Sequence, residues 1–226
     1  MHALADGHIS RIRVTHGSGY VLDVDYDKFV FTDQTHTTNV RKVTAEDAGN
    51  GLTREREFHD TDGLITDVPG LVLSTFYADC VPLYFVDPVH CAIGLSHSGW
   101  RGTVNRMGKA TIEAMRREYG SRPEELRCAI GPSICQDCYE VSGDVAVEFE
   151  RAFAGHEHEI LIAKENGKYQ LNLWKANESV FLESGILPEH IAVTNVCTHC
   201  NPDILFSHRT TGNERGTLSA FLALKK

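Results

Sequence analysis

The sequence predicts one mixed α/β (α+β) domain, a mixed β-sheet sandwich with flanking helices, over residues 1–226. Three observations lead there. Short runs rich in β-branched and aromatic residues recur along the chain, helix-periodic segments fall between some of them, and several neighbouring runs are joined only by turn-length links. Turn-length links suit antiparallel pairing, so a clean βαβ repeat is not expected. With 226 residues, 42% of them hydrophobic and 23% charged, the chain can bury a sizeable core.

In order along the chain, strand-like runs occupy 28–32, 71–77, 81–86, 91–96, 127–131, 191–196 and 218–224. The stretch 44–63, TAEDAGNGLTREREFHDTDG, is the most polar and is expected to be a long surface loop. The best helix is 103–119, where Val104, Met107, Thr111, Ala114 and Met115 share a face and Gly120 supplies a stop. Two further helices, near 144–153 and at 173–184, precede Gly155 and Gly185. No internal repeat or low-complexity linker divides the chain.

Charge narrows the function. The 22 basic and 31 acidic residues give −9, without a basic run, which argues against nucleic acid and against an anionic membrane surface as partners. One or two arginines could still hold an anionic small molecule. Asp79, Asp87 and His97 interrupt the most apolar region, and the start MHALADGHIS has no apolar core of a signal peptide, so a cytoplasmic protein is expected. Seven cysteines, an odd number, favour reduced thiols, metal ligation or catalysis over a disulfide framework.

The densest chemistry lies in ADCVPLYFVDPVHCAIGLSHSGWRG, residues 78–102. If 81–86 and 90–95 pair as a hairpin, Cys80 at the start of the first faces the end of the second, near His97. Cysteine and histidine are ligands that zinc prefers, and catalytic zinc takes three protein ligands with a fourth position open. His36 in DQTHTT follows the run KFVFT and is the candidate third ligand. The spacing is equally compatible with a buried cysteine and two hydrogen-bonded histidines. The Gly102–Thr103 junction is expected to begin a helix whose free N–H groups suit an anion, with Arg101 beside it. Asp79 either orients a ligand and exchanges a proton or caps the turn before Cys80.

ADCVPL, HSGWRGT, AIGPSICQDCYEV and FSHR, in that order, resemble the laccase-domain family, also called the YfiH or DUF152 family, over about residues 28–224. Members of that family carry the name multicopper polyphenol oxidase and are generally viewed as zinc-dependent purine nucleoside phosphorylases, often with adenosine deaminase activity. The resemblance implies a YfiH-like fold and a metal held by His36 of QTH, Cys80 of ADC and His97 of HSGWRG. It implies a purine nucleoside and phosphate as small-molecule partners. Cys80, Arg101 and Asp79 are then the candidate catalytic residues, and Arg101, Gly102 and Arg209 the candidate phosphate-binding ones. Three alternatives stand beside this reading: a copper-dependent polyphenol oxidase, an amidase acting on a cell-wall precursor, and a non-catalytic zinc-stabilised domain.

The chain departs from the family pattern in places. Ser98 stands where alanine is usual, Asn172 where aspartate is common, and the closing motif is SHRTTGNERG, which retains Arg209 and Arg215. His208 there is either a base or a packed imidazole. The segment 1–27 matches the family poorly. The pairs Cys135-x-x-Cys138 and Cys197-x-x-Cys200 could together make a structural Cys₄ zinc site, but they lie too far apart for a compact zinc ribbon, so isolated reduced thiols, with Cys197 near the pocket, are expected ahead of a second metal site. His156-x-His158 is the only H-x-H pair and is expected on a solvated face, whereas a multicopper oxidase needs many imidazoles for its cluster. No GxGxxG, P-loop or GxSxG motif occurs.

Overall fold

In the computed structural model, which describes residues 12–15 and 21–225, the apolar runs become strands of one large sheet and three small ones. The chain begins with β1 (Ile12–Thr15) and β2 (Val21–Val24), an antiparallel ribbon, followed by β3 (Phe29–Val30), β4 (Val40–Lys42) and β5 (Gly63–Thr66). The longer strands β6 (Val72–Tyr77), β7 (Val81–Asp87) and β8 (Ala92–Ser98) come next, then helices α1 (Trp100–Val104) and α2 (Met107–Tyr119). After β9 (Arg127–Ile130) and β10 (Glu140–Val141) come α3 (Gly143–Ala152), α4 (Glu157–Ile160), β11 (Leu161–Ala163) and β12 (Tyr169–Leu171). The chain closes with α5 (Leu173–Glu183), β13 (Ile191–Val193), α6 (His208–Thr211) and β14 (Leu218–Ala223).

The large sheet has the strand order β13-β9-β7-β8-β5-β4. Its two outer pairs are parallel and its inner pairs antiparallel, so the sheet is mixed as expected. The alternation within β7 explains its central place. Val81, Leu83 and Phe85 pack toward the helices, with Ile112 and Met115 of α2 and Phe181 of α5. Tyr84 and Val86 point the other way, toward Leu73, Tyr77 and Ala220 of a second sheet, β14-β6-β3. The molecule therefore has three layers: a small sheet, the large sheet, and helices. Covered on both faces, β8 is buried at every residue, apolar at Ala92, Ile93 and Leu95 and polar only at its C-terminal end, Ser96, His97 and Ser98.

Three expectations require correction. The helix expected over 103–119 is two helices, broken at Arg106, which adopts a left-handed φ of 64°. Tertiary contacts hold that strained residue: its guanidinium lies 4.0 Å over the Phe153 ring and 2.9 Å from Glu183, and it donates to the Ala152 carbonyl. The first helix begins at Trp100 with Gly99 as its N-cap, so Gly102 lies buried inside α1 rather than at a helix start. Finally, 44–63 is not wholly a surface loop. Asn50, Phe58 and Asp62 are buried, and Asn50 bridges to the Phe31 carbonyl and the Glu57 amide.

The expectation of a poorly matched segment 1–27 falls largely outside the described residues. Among the described residues, no helix is long and apolar enough to cross a membrane.

The β7–β8 turn is held by Asp87, whose side chain accepts from the Val89 and His90 amides at 2.9 and 3.0 Å and contacts His90 Nδ1 at 2.9 Å. Burial pushes this carboxyl up, but its contacts with Ser121, His90 and Val89 prevail and hold it below the ordinary value. Asp87→Ala is predicted to lower unfolding free energy by about 1–3 kcal/mol in urea titrations. Because the folded-state pKa is depressed, the Asp87 contribution is fully present above the ordinary carboxylate range. It is lost as pH falls through the lowered value, so wild type and variant converge in stability only in strong acid.

Candidate functional site

The β7–β8 register pairs Val81 with Ser98 and Pro82 with His97, which sets Cys80 at the mouth of the hairpin beside His97, as the spacing anticipated. His36 reaches the same edge by another route. Strand β3 runs parallel to β6, and beyond it the Gln34 side chain clamps the Phe76 backbone, donating to its carbonyl at 3.0 Å and accepting from its amide at 2.7 Å. Two residues later the chain turns back through His36, at φ 66°. The ligand atoms of His36, Cys80 and His97 all lie within 4.8 Å of one another, with His36 Nε2 3.9 Å from Cys80 Sγ.

One carboxylate organises this convergence. Asp62 is fully buried and accepts from the backbone amides of Thr35 (3.2 Å), His36 (3.1 Å) and Thr37 (2.8 Å), and from the Thr37 hydroxyl (2.8 Å). These bonds offset the roughly 1–2 kcal/mol that a left-handed non-glycine residue costs. Asp62 also meets His97 Nδ1 at 2.8 Å, while its backbone carbonyl accepts from the His97 amide at 2.7 Å. With the Nδ1 proton committed to the carboxylate, His97 presents Nε2 to Cys80 and His36, the arrangement that holds histidine metal ligands in one tautomer. Gly99 completes the packing: a Cβ there would lie 2.8 Å from His36 Cδ2 and 3.1 Å from Cys80 Sγ.

The electrostatics suit a cation. Burial alone would push the Cys80 thiol up, but hydrogen bonds and charge from His36 and His97 bring it down to about 6. Burial pulls His97 down, yet Asp62 and Cys80 raise it to about 9. Burial likewise opposes ionisation of Asp62, and His97 and Thr37 outweigh it and keep its carboxyl below the ordinary value. Two imidazoles and a readily ionised thiol, all converging, fit a divalent metal of the zinc or copper type with a further position left open.

The three residues line a cleft of about 460 Å³ together with Phe76, Tyr77, Arg56 and Arg215. The other sequence-derived candidates sit elsewhere. Asp79 is buried with φ 83°, its Oδ1 accepting from the Thr198 hydroxyl at 2.6 Å and its Oδ2 from the Arg209 amide at 2.7 Å. It does not line the cleft, and this geometry matches the turn-holding role. Arg101 stacks over its own Trp100 ring at 4.3 Å. Arg209 bonds the Glu140 carbonyl at 2.9 Å and lies over Tyr139. Burial, then the charge of Cys80, pushes the Tyr139 phenol up to about 12 against the pull of Arg209 and Arg101.

Asn172 is the N-cap of α5, accepting from the Lys175 amide at 2.9 Å. Ser98 contacts the Thr103 hydroxyl at 3.0 Å and donates to Asn177 at 3.2 Å, which satisfies the hydroxyl that alanine would lack. His208 Nδ1 lies 3.1 Å from the Gly212 carbonyl oxygen and 3.3 Å from Arg215 Nε. His156 is exposed beside Glu159, as expected. Sequence reasoning missed Asp62, which stands among acidic neighbours in DTDG. The one available signal was its place directly before the apolar run GLIT.

Asp62→Asn replaces one acceptor oxygen with a donor facing the His36 loop and the His97 ring. The variant is predicted to bind a divalent metal about 10–100-fold more weakly at this site, read by competition with a chromophoric chelator.

Comparison with known proteins places this geometry in a family. The model of the family described as "Multi-copper polyphenol oxidoreductase laccase" matches residues 15–225, so the match extends further toward the N-terminus than the motifs alone indicated. The chain is 35% identical over 214 residues to purine nucleoside phosphorylase YlmD of Bacillus subtilis, covering 92% of this chain and 76% of that one. It is 34% identical to adenosine deaminase RL5 of an unknown prokaryotic organism, covering 86% and 74%. Among solved structures, the YfiH protein of Bacillus licheniformis superposes with a TM-score of 0.86 at 35% identity, over 89% of this chain and 76% of that one. With its fold, its motifs and nearly its whole length matched, the chain belongs to the multi-copper polyphenol oxidoreductase laccase family, the laccase-domain or YfiH family.

Proposed function

We propose that the chain is a zinc-dependent purine nucleoside phosphorylase, acting on adenosine- and inosine-type nucleosides and also deaminating adenosine. One observation carries the reading: His36, Cys80 and His97 converge in an open cleft that also holds arginines. The names of the relatives, purine nucleoside phosphorylase and adenosine deaminase, support it. A volume of about 460 Å³ suits a nucleoside-sized ligand.

Held by His36, Cys80 and His97, zinc would supply Lewis-acid polarisation of an oxygen at the reacting centre. The remaining work falls to the chain. Asp62 keeps a proton on His97 Nδ1 and fixes the turn that presents His36. Phe76, partly exposed in the cleft, offers aromatic surface for a purine. Arg56 and Arg215, in the cleft, offer bidentate cations for phosphate, whereas Arg101 and Arg209 do not line it. In phosphorolysis a phosphate oxygen bonds to C1′ as the C1′–N9 bond breaks. The bonding electron pair leaves with the purine, which takes up a proton. In deamination, water adds at C6 of adenine and ammonia leaves.

The family description keeps copper-dependent phenol oxidation as a second reading, since two histidines and a cysteine also suit a single copper. Among the described residues, the other group able to hold a metal is all cysteine, so an imidazole-rich cluster to receive four electrons is not present there.

Purified under reducing conditions, the protein is predicted to consume adenosine and inosine with phosphate present, and to lose both activities on metal removal. Full activity without metal would refute the zinc mechanism. Phenol oxidation that tracks copper, without nucleoside turnover, would favour the second reading. Arg215→Ala is predicted to raise the KM for phosphate about 10-fold or more, the loss of one charge-assisted bond, with adenosine deamination changed far less. Parallel Arg101→Ala and Arg209→Ala assays identify which other cation meets phosphate.

A further inference from the structure

The two CxxC pairs do not behave as isolated thiols. Strands β9 and β13 run in parallel, with Ile130 opposite Val193, so the chains leaving their ends continue side by side. Ser133 bridges Cys197, its amide donating to Val196 at 3.1 Å while its carbonyl accepts from Thr198 at 3.2 Å. This pairing closes the long sequence gap that had argued against a shared site. The sulfurs of Cys135, Cys138, Cys197 and Cys200 all lie within 4.8 Å of one another, and Cys138 Sγ is 3.4 Å from Cys200 Sγ.

Four sulfurs gathered about one point match one central ion better than two separate bridges. A tetrahedral zinc with Zn–S bonds of ~2.3 Å sets its sulfurs ~3.8 Å apart. The Cys135 amide also donates to Cys197 Sγ at 3.3 Å, a bond that favours a thiolate. Cys197 is buried, Cys135 and Cys138 are half-buried and Cys200 is exposed, which leaves a route by which an ion enters. All four are free cysteines.

We propose that Cys135, Cys138, Cys197 and Cys200 form a closed, structural zinc site that ties the 133–138 segment to the 196–201 segment. Binding displaces the protons of the four thiols, and the full sulfur shell leaves no position for substrate. The site is separate from the His36, Cys80, His97 group, and it supports that group from below. Thr198, between the ligands Cys197 and Cys200, is the residue that bonds Asp79, and the Ile134 amide, next to Cys135, donates to the Asp79 carbonyl at 3.1 Å. Asp79 immediately precedes Cys80. The all-cysteine site therefore positions the turn that delivers the Cys80 thiol.

The test is metal analysis of protein purified anaerobically with a thiol reductant. Wild type is predicted to carry two zinc ions per chain. The double variant Cys138→Ser, Cys200→Ser loses one of them, and His36→Ala loses the other. Should the double cysteine variant fail to fold, zinc-edge X-ray absorption on His36→Ala protein, which keeps all four cysteines, gives the same answer: a sulfur-only shell of four. One zinc per chain that survives in the double cysteine variant overturns the proposal. So does a His36→Ala protein without zinc, or a Cys138–Cys200 disulfide found by mass spectrometry in the reduced preparation. The count at the cysteine site does not depend on whether nucleosides are substrates.

Discussion

A single buried carboxylate, Asp62, sets the geometry on which the candidate site depends. Its oxygens serve three consecutive amides of the His36 turn and the ring of His97, two segments brought together only by the fold. An ionised carboxylate with no solvent contact is unfavourable unless every lone pair is used, and here the donors are backbone amides, a hydroxyl and an imidazole. The same bonds that satisfy Asp62 hold His36 in a left-handed conformation and commit His97 to one tautomer. Stability and ligand geometry are thus one feature.

Around that carboxylate the layers bring three ligands from three elements at little cost. The hairpin contributes Cys80 and His97 through its register, and the parallel pairing of β3 with β6 brings in His36. Gly99, where a side chain would collide with both His36 and Cys80, allows the helix that follows to begin against the site. Two other supports reach Cys80 from behind: Asp79 is bonded to Thr198 and to Arg209, which links the ligand turn to the all-cysteine cluster. The end of the cleft where His36, Cys80 and His97 converge is consequently held by hydrogen bonds from several segments, as a preorganised site requires.

Much of this was legible in the sequence, for physical reasons. Runs 81–86 and 91–96 are strands because a sheet covered on both faces favours apolar residues, run 71–77 because its β-branched and aromatic residues suit the small sheet that covers one of those faces, and a short turn forces β7 and β8 to pair. The trio His36, Cys80, His97 followed from ligand chemistry, hairpin geometry and family motifs. Features set by tertiary contacts were not legible. Arg106 breaks a strongly periodic helix because Phe153 and Glu183 hold it, and neither is near it in sequence. Asp62 looked like one more acid in a charged loop. The two CxxC pairs looked too distant because the parallel pairing of β9 with β13, which joins them, leaves no local signal. Gly102 was displaced from a helix start by a helix that begins two residues earlier, at Trp100.

The central claim is that three residues hold a metal and leave one position for substrate. The most direct measurement is a zinc-edge anomalous difference map from crystals of the reduced protein. The account predicts a peak bonded to His36 Nε2, Cys80 Sγ and His97 Nε2, with no fourth protein ligand and the open side toward the cleft. A map without density among these three residues, or one in which a fourth side chain closes the shell, would contradict it.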